Sequence, residues 1–312
     1  MTYYILFTIS FIVSVVSIYF LRKFAVNKHL YDEPGELKIH QKPIPYLGGI
    51  GIFLGFVIGL IVARLFHQIS GLQATGVIIG SIIILFIGLF DDLKWKKNGQ
   101  PFLKLFVQFV AGFFIVLILI KIGVNFHFSI YPVLGAIIAG FYIIGAMNAI
   151  NVDDGMDGLA GGMVGISLIG FIIISLQNPN NLFPLTISIA LLGAIIGFLL
   201  YNWRPASIFM GDNGSHFLGF CLAVLAIMFT GHPVYNLKQF VGPILIIGFP
   251  IIDIAWAVIR RLIKGKSPFS RDRNYLYDQI HFKLGFSIPK TVLTCYSFQL
   301  ILVIVGILIY SA

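Results

Sequence analysis

Between Asn148 and Asp157 the chain sets two carboxamides and three carboxylates, Asn148, Asn151, Asp153, Asp154 and Asp157, between long apolar stretches. Oxygen-bearing side chains with no Cys or His among them suit a hard divalent cation, Mg²⁺ first, with Mn²⁺ admissible in its place. Two carboxylates about 6 Å apart repel by roughly 3 kcal/mol at an effective dielectric near 20, so such a cluster asks for a cation. Read as a helix, the stretch puts Asn148, Asn151 and Asp154 on one face, with Asp157 one turn further. The glycines from Gly155 to Gly162 allow a ligand to approach the backbone closely.

Two further acidic points stand at the edges of apolar runs. Asp91 and Asp92 are adjacent where one run ends. A solvated helix end would need no function, but acidic residues are unfavourable at a helix C-terminus. Asp212 stands near the start of the apolar run that follows Phe209-Met210-Gly211. As an N-cap it needs no further role. A helix N-terminus is also an anion site, where an Asp can hold a cation while free amides face phosphate. Two basic segments accompany these points: Lys38-Ile39-His40 in the first loop, and the loop from Lys264 to Arg273. They are either orientation determinants that meet anionic lipid, or ligands for phosphate groups brought to the acidic site.

The elements that must carry these residues are membrane helices. Of 312 residues, 58% are hydrophobic and only 11% charged, with a mean hydropathy of +0.97. A soluble domain carries about 25% charged residues, so this chain lacks the polar surface to cover itself in water. A span needs about 20 apolar residues. Apolar stretches fall at about 3–21, 47–66, 75–90, 102–122, 130–147, 160–176, 183–201, 207–229, 240–259 and 288–310. The expected fold is therefore all-α: a polytopic membrane protein of about ten transmembrane helices, forming one integral domain over 1–312. Residues 3–21 read as a retained helix, because Arg22 and Lys23 follow the apolar run, the reverse of a cleavable signal. Cys221 and Cys295 lie inside apolar runs and give neither a disulfide framework nor a metal-site spacing.

Loop charge orients the stack. Of 21 Lys and Arg residues, all but Arg64, Lys121 and Lys238 fall in loops on the side that follows the first helix. The positive-inside rule makes that side cytoplasmic and leaves both termini outside, in the cell inner (plasma) membrane. All twelve acidic residues fall on or near the same side, although that rule does not govern acids. A charge-dense site on the cytoplasmic face accounts for both. A cation-coupled secondary transporter is the alternative, but it would hold its acids near the bilayer midplane, and no inverted repeat is seen. A scaffold of glycine-packed helices does not explain the one-sided acids.

In order and spacing the motifs resemble those of the polyprenyl-phosphate N-acetylhexosamine-1-phosphate transferases. That family includes the enzymes that start teichoic acid and O-antigen synthesis, and is related to phospho-N-acetylmuramoyl-pentapeptide transferase. The resemblance runs from Asp32 to Ser287. It rests on the Pro-and-His first loop ending Gly48-Gly49, on Asp91-Asp92, on Pro101 to Gln108, on Asn148 to Gly162 and on Gly211-Asp212-Asn213-Gly214-Ser215. The resemblance implies that Asp212 and Asn151 are Mg²⁺ ligands, and that Lys104 holds the pyrophosphate. Asp154 and Asp157 would bind the nucleotide and shape the site, and Asp91 or Asp92 would position or deprotonate a lipid phosphate. Lys38, His40, Asn148, Asp272, Arg273 and His281 would complete the substrate contacts. The implied partners are a UDP-N-acetylhexosamine, by default UDP-GlcNAc, undecaprenyl phosphate and membrane lipid. No nucleic acid is expected, and a homodimer is compatible with the family.

Three positions depart from the family pattern. Leu37 and Tyr46 stand where Arg is usual. The family's His-x-His-His is replaced by Asn274-Tyr275-Leu276-Tyr277-Asp278, with His281 out of register. Asp253 is a separate feature: an acid within an apolar stretch, two turns before Arg260, expected to have a cationic partner or a place in the site.

Overall fold

A computed structural model describes residues 2–35, 38–66, 68–95, 101–124, 132–230, 236–268, 270 and 272–312. Glu36, Leu37, Lys96, Lys97, Phe269 and Arg271 lie outside the described residues. Twelve helices are found among the described residues. They are α1 Thr2–Asn27, α2 Gly48–Leu65, α3 Gly71–Phe90, α4 Pro101–Lys121, α5 Pro132–Asp153 and α6 Leu159–Leu176. There follow α7 Leu182–Asn202, α8 Gly211–Met228, α9 Leu237–Ile247, α10 Phe249–Ile263, α11 Leu276–Phe282 and α12 Ile288–Ser311. One two-residue antiparallel pair, β1 Tyr31–Asp32 with β2 Ile44–Pro45, closes the first loop.

Eight of these helices, α1 to α7 and α12, are long and apolar enough to cross a membrane, and nine spans result if α9 and α10 count as one. The protein is a polytopic, all-helical membrane protein. The remaining apolar stretch of the sequence, 207–229, forms α8, which lies at the centre, packed on α3 and α5. Every residue from Gly211 to Ile227 except Asp212 is buried in it. Phe217 meets Phe53 and Phe56 of α2 at ring separations of 5.6 Å. A helix surrounded by other helices can carry polar residues that lipid would reject, and α8 does so in its first two turns.

The stretch expected as one span over 240–259 is instead two helices meeting at 86°. Gly248 takes φ 61°, a conformation open to glycine, and Pro250 follows at the start of α10. Freed backbone groups inside a membrane cost several kcal/mol each unless they find partners. Gln299 of α12 provides them. Its Oε1 accepts the Phe249 N–H at 2.8 Å, and its Nε2 donates to the Ile246 carbonyl at 2.9 Å and to Ser167 Oγ at 2.8 Å.

The helix ends that carry charge meet at one end of the bundle. The C-terminal ends of α3 and α5 touch the N-terminal ends of α4 and α8 there, through the contacts described next.

Candidate active site

The site is built around the N-terminus of α8. A short backbone ladder sets that end: Phe209 N–H donates to the Pro45 carbonyl at 2.7 Å, Gly48 N–H to Phe209 at 2.9 Å, and Gly49 N–H to Met210 at 3.0 Å. The last turn of α3 then comes very close. A Cβ on Gly88 would stand 2.5 Å from Asp212 O and from Asn213 Cα, so only glycine lets α3 reach this position. The chain continues from α3 into a π-helical turn, Asp91–Trp95, which carries both acids of the pair.

The two neighbours have different partners. Asp92 is the N-terminal cap of α8, supplied from another helix: Oδ1 accepts the Asp212 N–H at 3.0 Å, and Oδ2 accepts Asn213 N–H at 3.0 Å and Asn213 Nδ2 at 2.9 Å. The sequence offered Asp212 as its own cap. The structure gives that task to Asp92 and leaves the Asp212 side chain for other partners. Asp91, only 3% exposed, forms an ion pair with Lys104 Nζ and lies within hydrogen-bond reach of Asp212. Lys104 also faces Asp212 Oδ2 at 3.4 Å. Asn151 Nδ2 donates to Asp212 Oδ1 and to Ser215 Oγ, both at 2.9 Å. Asp91, Lys104, Asn151 and Asp212 thus converge from four helices or their ends.

The residues fit a divalent cation by donor chemistry. Two carboxylates and one carboxamide oxygen form a hard, oxygen-only set, and a single lysine does not balance two carboxylates. Asn151 meets Asp212 through its amide nitrogen, whereas a metal would take its oxygen. Among the described residues no three acids, histidines or cysteines cluster closely enough to hold a cation alone. A Mg²⁺ bound here would keep water or substrate phosphate as further ligands, its usual habit.

The remainder of the Asn148–Gly162 motif differs from the helical expectation. α5 ends at Asp153, so Asp154 and Asp157 leave the face shared by Asn148 and Asn151. The half-buried Asp154 follows in a turn, and Asp157 Oδ2 accepts the Ala206 N–H at 3.1 Å. Asn202 and Tyr296, absent from the sequence-derived site, fix this hairpin: Asn202 Oδ1 accepts the Gly158 N–H at 3.0 Å, and Tyr296 Oη donates to the Gly158 carbonyl at 2.5 Å. Asn148 points into a polar chain, donating to Gln108 Oε1 at 3.0 Å, while Gln108 Nε2 contacts His216 Nε2 at 3.2 Å. Gln108 and His216 are fully buried. Gln108 closes the Pro101–Gln108 run and His216 follows Ser215, so both stood beside motifs legible in the sequence, but neither was given a role there.

The basic segments are held by acids of their own. Lys38 pairs with Asp32 at 2.9 Å, and His40 Nε2 lies 3.5 Å from Asp32 Oδ2 with its ring against Phe209. Asp272 takes Arg260 through both oxygens and Arg261 through one, at 2.8 to 3.0 Å. Burial alone would raise the Asp272 pKa, but the two guanidiniums outweigh it and hold the carboxyl below its ordinary value. Arg273 lies over the Phe282 ring at 5.1 Å, and His281 Nδ1 contacts the Phe286 carbonyl at 2.7 Å. Burial pushes Asp278 up to about 6, against the pull of Arg273. Next to Gly155 and these residues is a polar cavity of about 170 Å³. Asp253 has no ion pair to Arg260, which is engaged by Asp272. Its Oδ1 accepts the Leu276 N–H at 2.7 Å instead.

A family model described as glycosyl transferase family 4 matches residues 74–230, half of the chain. The chain is 30% identical to a probable undecaprenyl-phosphate N-acetylglucosaminyl 1-phosphate transferase of Bacillus subtilis, over 97% of this chain and 85% of that protein. It is 29% identical to a decaprenyl-phosphate N-acetylglucosaminephosphotransferase of Mycobacterium leprae, over 84% and 72%. It is also 29% identical to the undecaprenyl-phosphate alpha-N-acetylglucosaminyl 1-phosphate transferase of Escherichia coli, over 89% and 76%.

Proposed function

The chain belongs to glycosyl transferase family 4 as a phosphoglycosyl transferase, and from that premise we propose that it moves N-acetylglucosamine 1-phosphate from UDP-GlcNAc to undecaprenyl phosphate, releasing UMP. The names of its relatives support the choice of sugar and lipid. The observation that carries the reading is Lys104 held between Asp91 and Asp212 at the N-terminus of α8. Beside Lys104, α4 offers an aromatic groove of about 570 Å³ between Phe102 and Phe113, on its apolar face. The groove suits the polyprenyl tail, with the phosphate at Lys104.

In the reaction an oxygen of the lipid phosphate forms a bond to the β-phosphorus of the UDP-sugar. The bond from that phosphorus to the bridging oxygen breaks, and UMP leaves with the electron pair. Asp212 and Asn151 would hold Mg²⁺, which when bound would neutralise phosphate charge. Lys104 neutralises the pyrophosphate, as clusters of cations do in phosphoryl transfer. Asp91 is the acid that faces the lipid phosphate, orienting it or taking its proton, because both oxygens of Asp92 are occupied in capping α8. Asp154 and Asp157 form the nucleotide side. The site faces the cytoplasm, by the charge of its loops.

The test is UMP release by the purified protein in nanodiscs with undecaprenyl phosphate, Mg²⁺ and a panel of UDP-sugars. Release that needs lipid, metal and Asp212, and is fastest with UDP-GlcNAc, is the expected result. Folded protein that releases no UMP from any donor would refute the proposal.

A further inference from the structure

Asp253 sits within α10 and is fully buried. An acid in a membrane helix is costly unless it has partners, and its partners mark its task. Its Oδ1 accepts the N–H of Leu276, the first residue of α11, at 2.7 Å, and the carboxyl also receives the N–H of Tyr277. On its other side it faces Asp153, the last residue of α5, which is equally buried.

Tyr277 makes a second connection between the same segments. Its hydroxyl donates to the Val152 carbonyl at 3.1 Å. Its ring stacks on Tyr275 at 5.8 Å and 9°. A side chain at Gly155 would collide with the Tyr277 hydroxyl. The stretch that departs from the family's His-x-His-His is therefore tied directly to the end of α5 through Tyr277, and to α10, which packs on α5, through Asp253. The cavity of about 170 Å³ opens between Gly155 on one side and Asp272, Arg273 and Asp278 on the other.

We propose that Asp253 and Tyr277 are positioning residues: together they lock the loop ahead of α11 to the end of α5 and so fix the donor-side wall of the site. The assignment rests on the transferase reading for its kinetic consequence, but not for its structural one. Neither residue touches the Asp91–Lys104–Asp212 centre. Loosening the lock therefore weakens donor binding more than it slows the chemical step.

The experiment compares full-length Asp253→Asn, Asp253→Leu and Tyr277→Phe proteins in nanodiscs by amide hydrogen exchange and by steady-state kinetics. Asparagine keeps an oxygen for the Leu276 N–H and offers its own N–H to Asp153. Asp253→Asn should therefore stay within about threefold of wild type in donor KM. Asp253→Leu should raise that KM about tenfold or more with kcat changed less than threefold, and should speed exchange at 152–158 and 276–282. Tyr277→Phe removes one hydrogen bond and is expected to fold even if Asp253→Leu does not. It should raise the donor KM about fivefold and speed exchange at 152–158. Unchanged exchange in Tyr277→Phe, or Asp253→Asn as impaired as Asp253→Leu, would overturn the lock. Protein inactive with every donor, yet showing the expected exchange pattern, would keep the lock and refute the transferase reading instead.

Discussion

Replacing Asp92 by alanine should unfasten α8, and the size of the effect follows from its contacts. Asp92 is 4% exposed and accepts two backbone N–H groups and one side-chain amide of the first turn of α8. Buried N–H groups left without an acceptor cost about 1–3 kcal/mol each. The cap of a helix is worth about 0.5–2 kcal/mol, a quantity that overlaps with the first. The loss should therefore be about 2–5 kcal/mol. At about 2 °C per kcal/mol for a chain of this size, Tm should fall by about 4–10 °C. Asp91→Asn is the contrast. Asp91 caps nothing and lies against Asp212, so neutralising it relieves a like-charge contact while weakening one ion pair. Its Tm should stay within about 2 °C of wild type, while UMP release falls about 10²-fold or more, the usual scale for a lost proton-handling group. Both are read by thermal unfolding in one detergent at one scan rate, beside initial rates. An unchanged Tm in Asp92→Ala, or an equal loss of Tm in Asp91→Asn, would show that the division of labour between these two acids is wrong.

Lys104→Met removes the cation between Asp91 and Asp212, so turnover should be lost while Mn²⁺ binds more tightly, as measured by titration of the bound-ion electron spin resonance signal. Gln299→Leu leaves the broken α9–α10 backbone without its partners and should destabilise the protein by about 2–4 kcal/mol, seen as a lower Tm with normal expression of the apolar core. Asp278, raised to about 6 by burial, opposes folding once ionised. Its cost is absent below about pH 4, where the group is neutral in both states, grows as pH rises through about 6, and is then constant. Asp278→Asn should therefore unfold at a higher temperature than wild type at pH 7.5, and at the same temperature at pH 4.

The apolar spans were legible because the membrane imposes one length and one composition on every helix that crosses it. Nine of the ten stretches became single helices near the expected limits; the stretch over 240–259 did not, because the 86° bend depends on Gln299, fifty residues beyond the break. The helical face drawn through Asn148, Asn151 and Asp154 failed at Asp154, where the chain turns to bring Asp157 to Ala206. Asp253 was legible as costly, but not its partners, since Asp153 and Leu276 come from other elements.

Taken alone, the residues determined that this is a membrane protein and pointed to Asp91, Asp92, Asn151 and Asp212 as polar points of a one-sided site, to which the family resemblance added Lys104. Composition and motif spacing are local properties, and they survive without coordinates. The tertiary structure alone decided what each acid touches. Asp91 and Asp92 are neighbours with the same side chain, and no local signal separates them. Successive residues on a helix point about 100° apart, so the docking of α8 against Gly88 gives one of them the helix amides and the other the lysine.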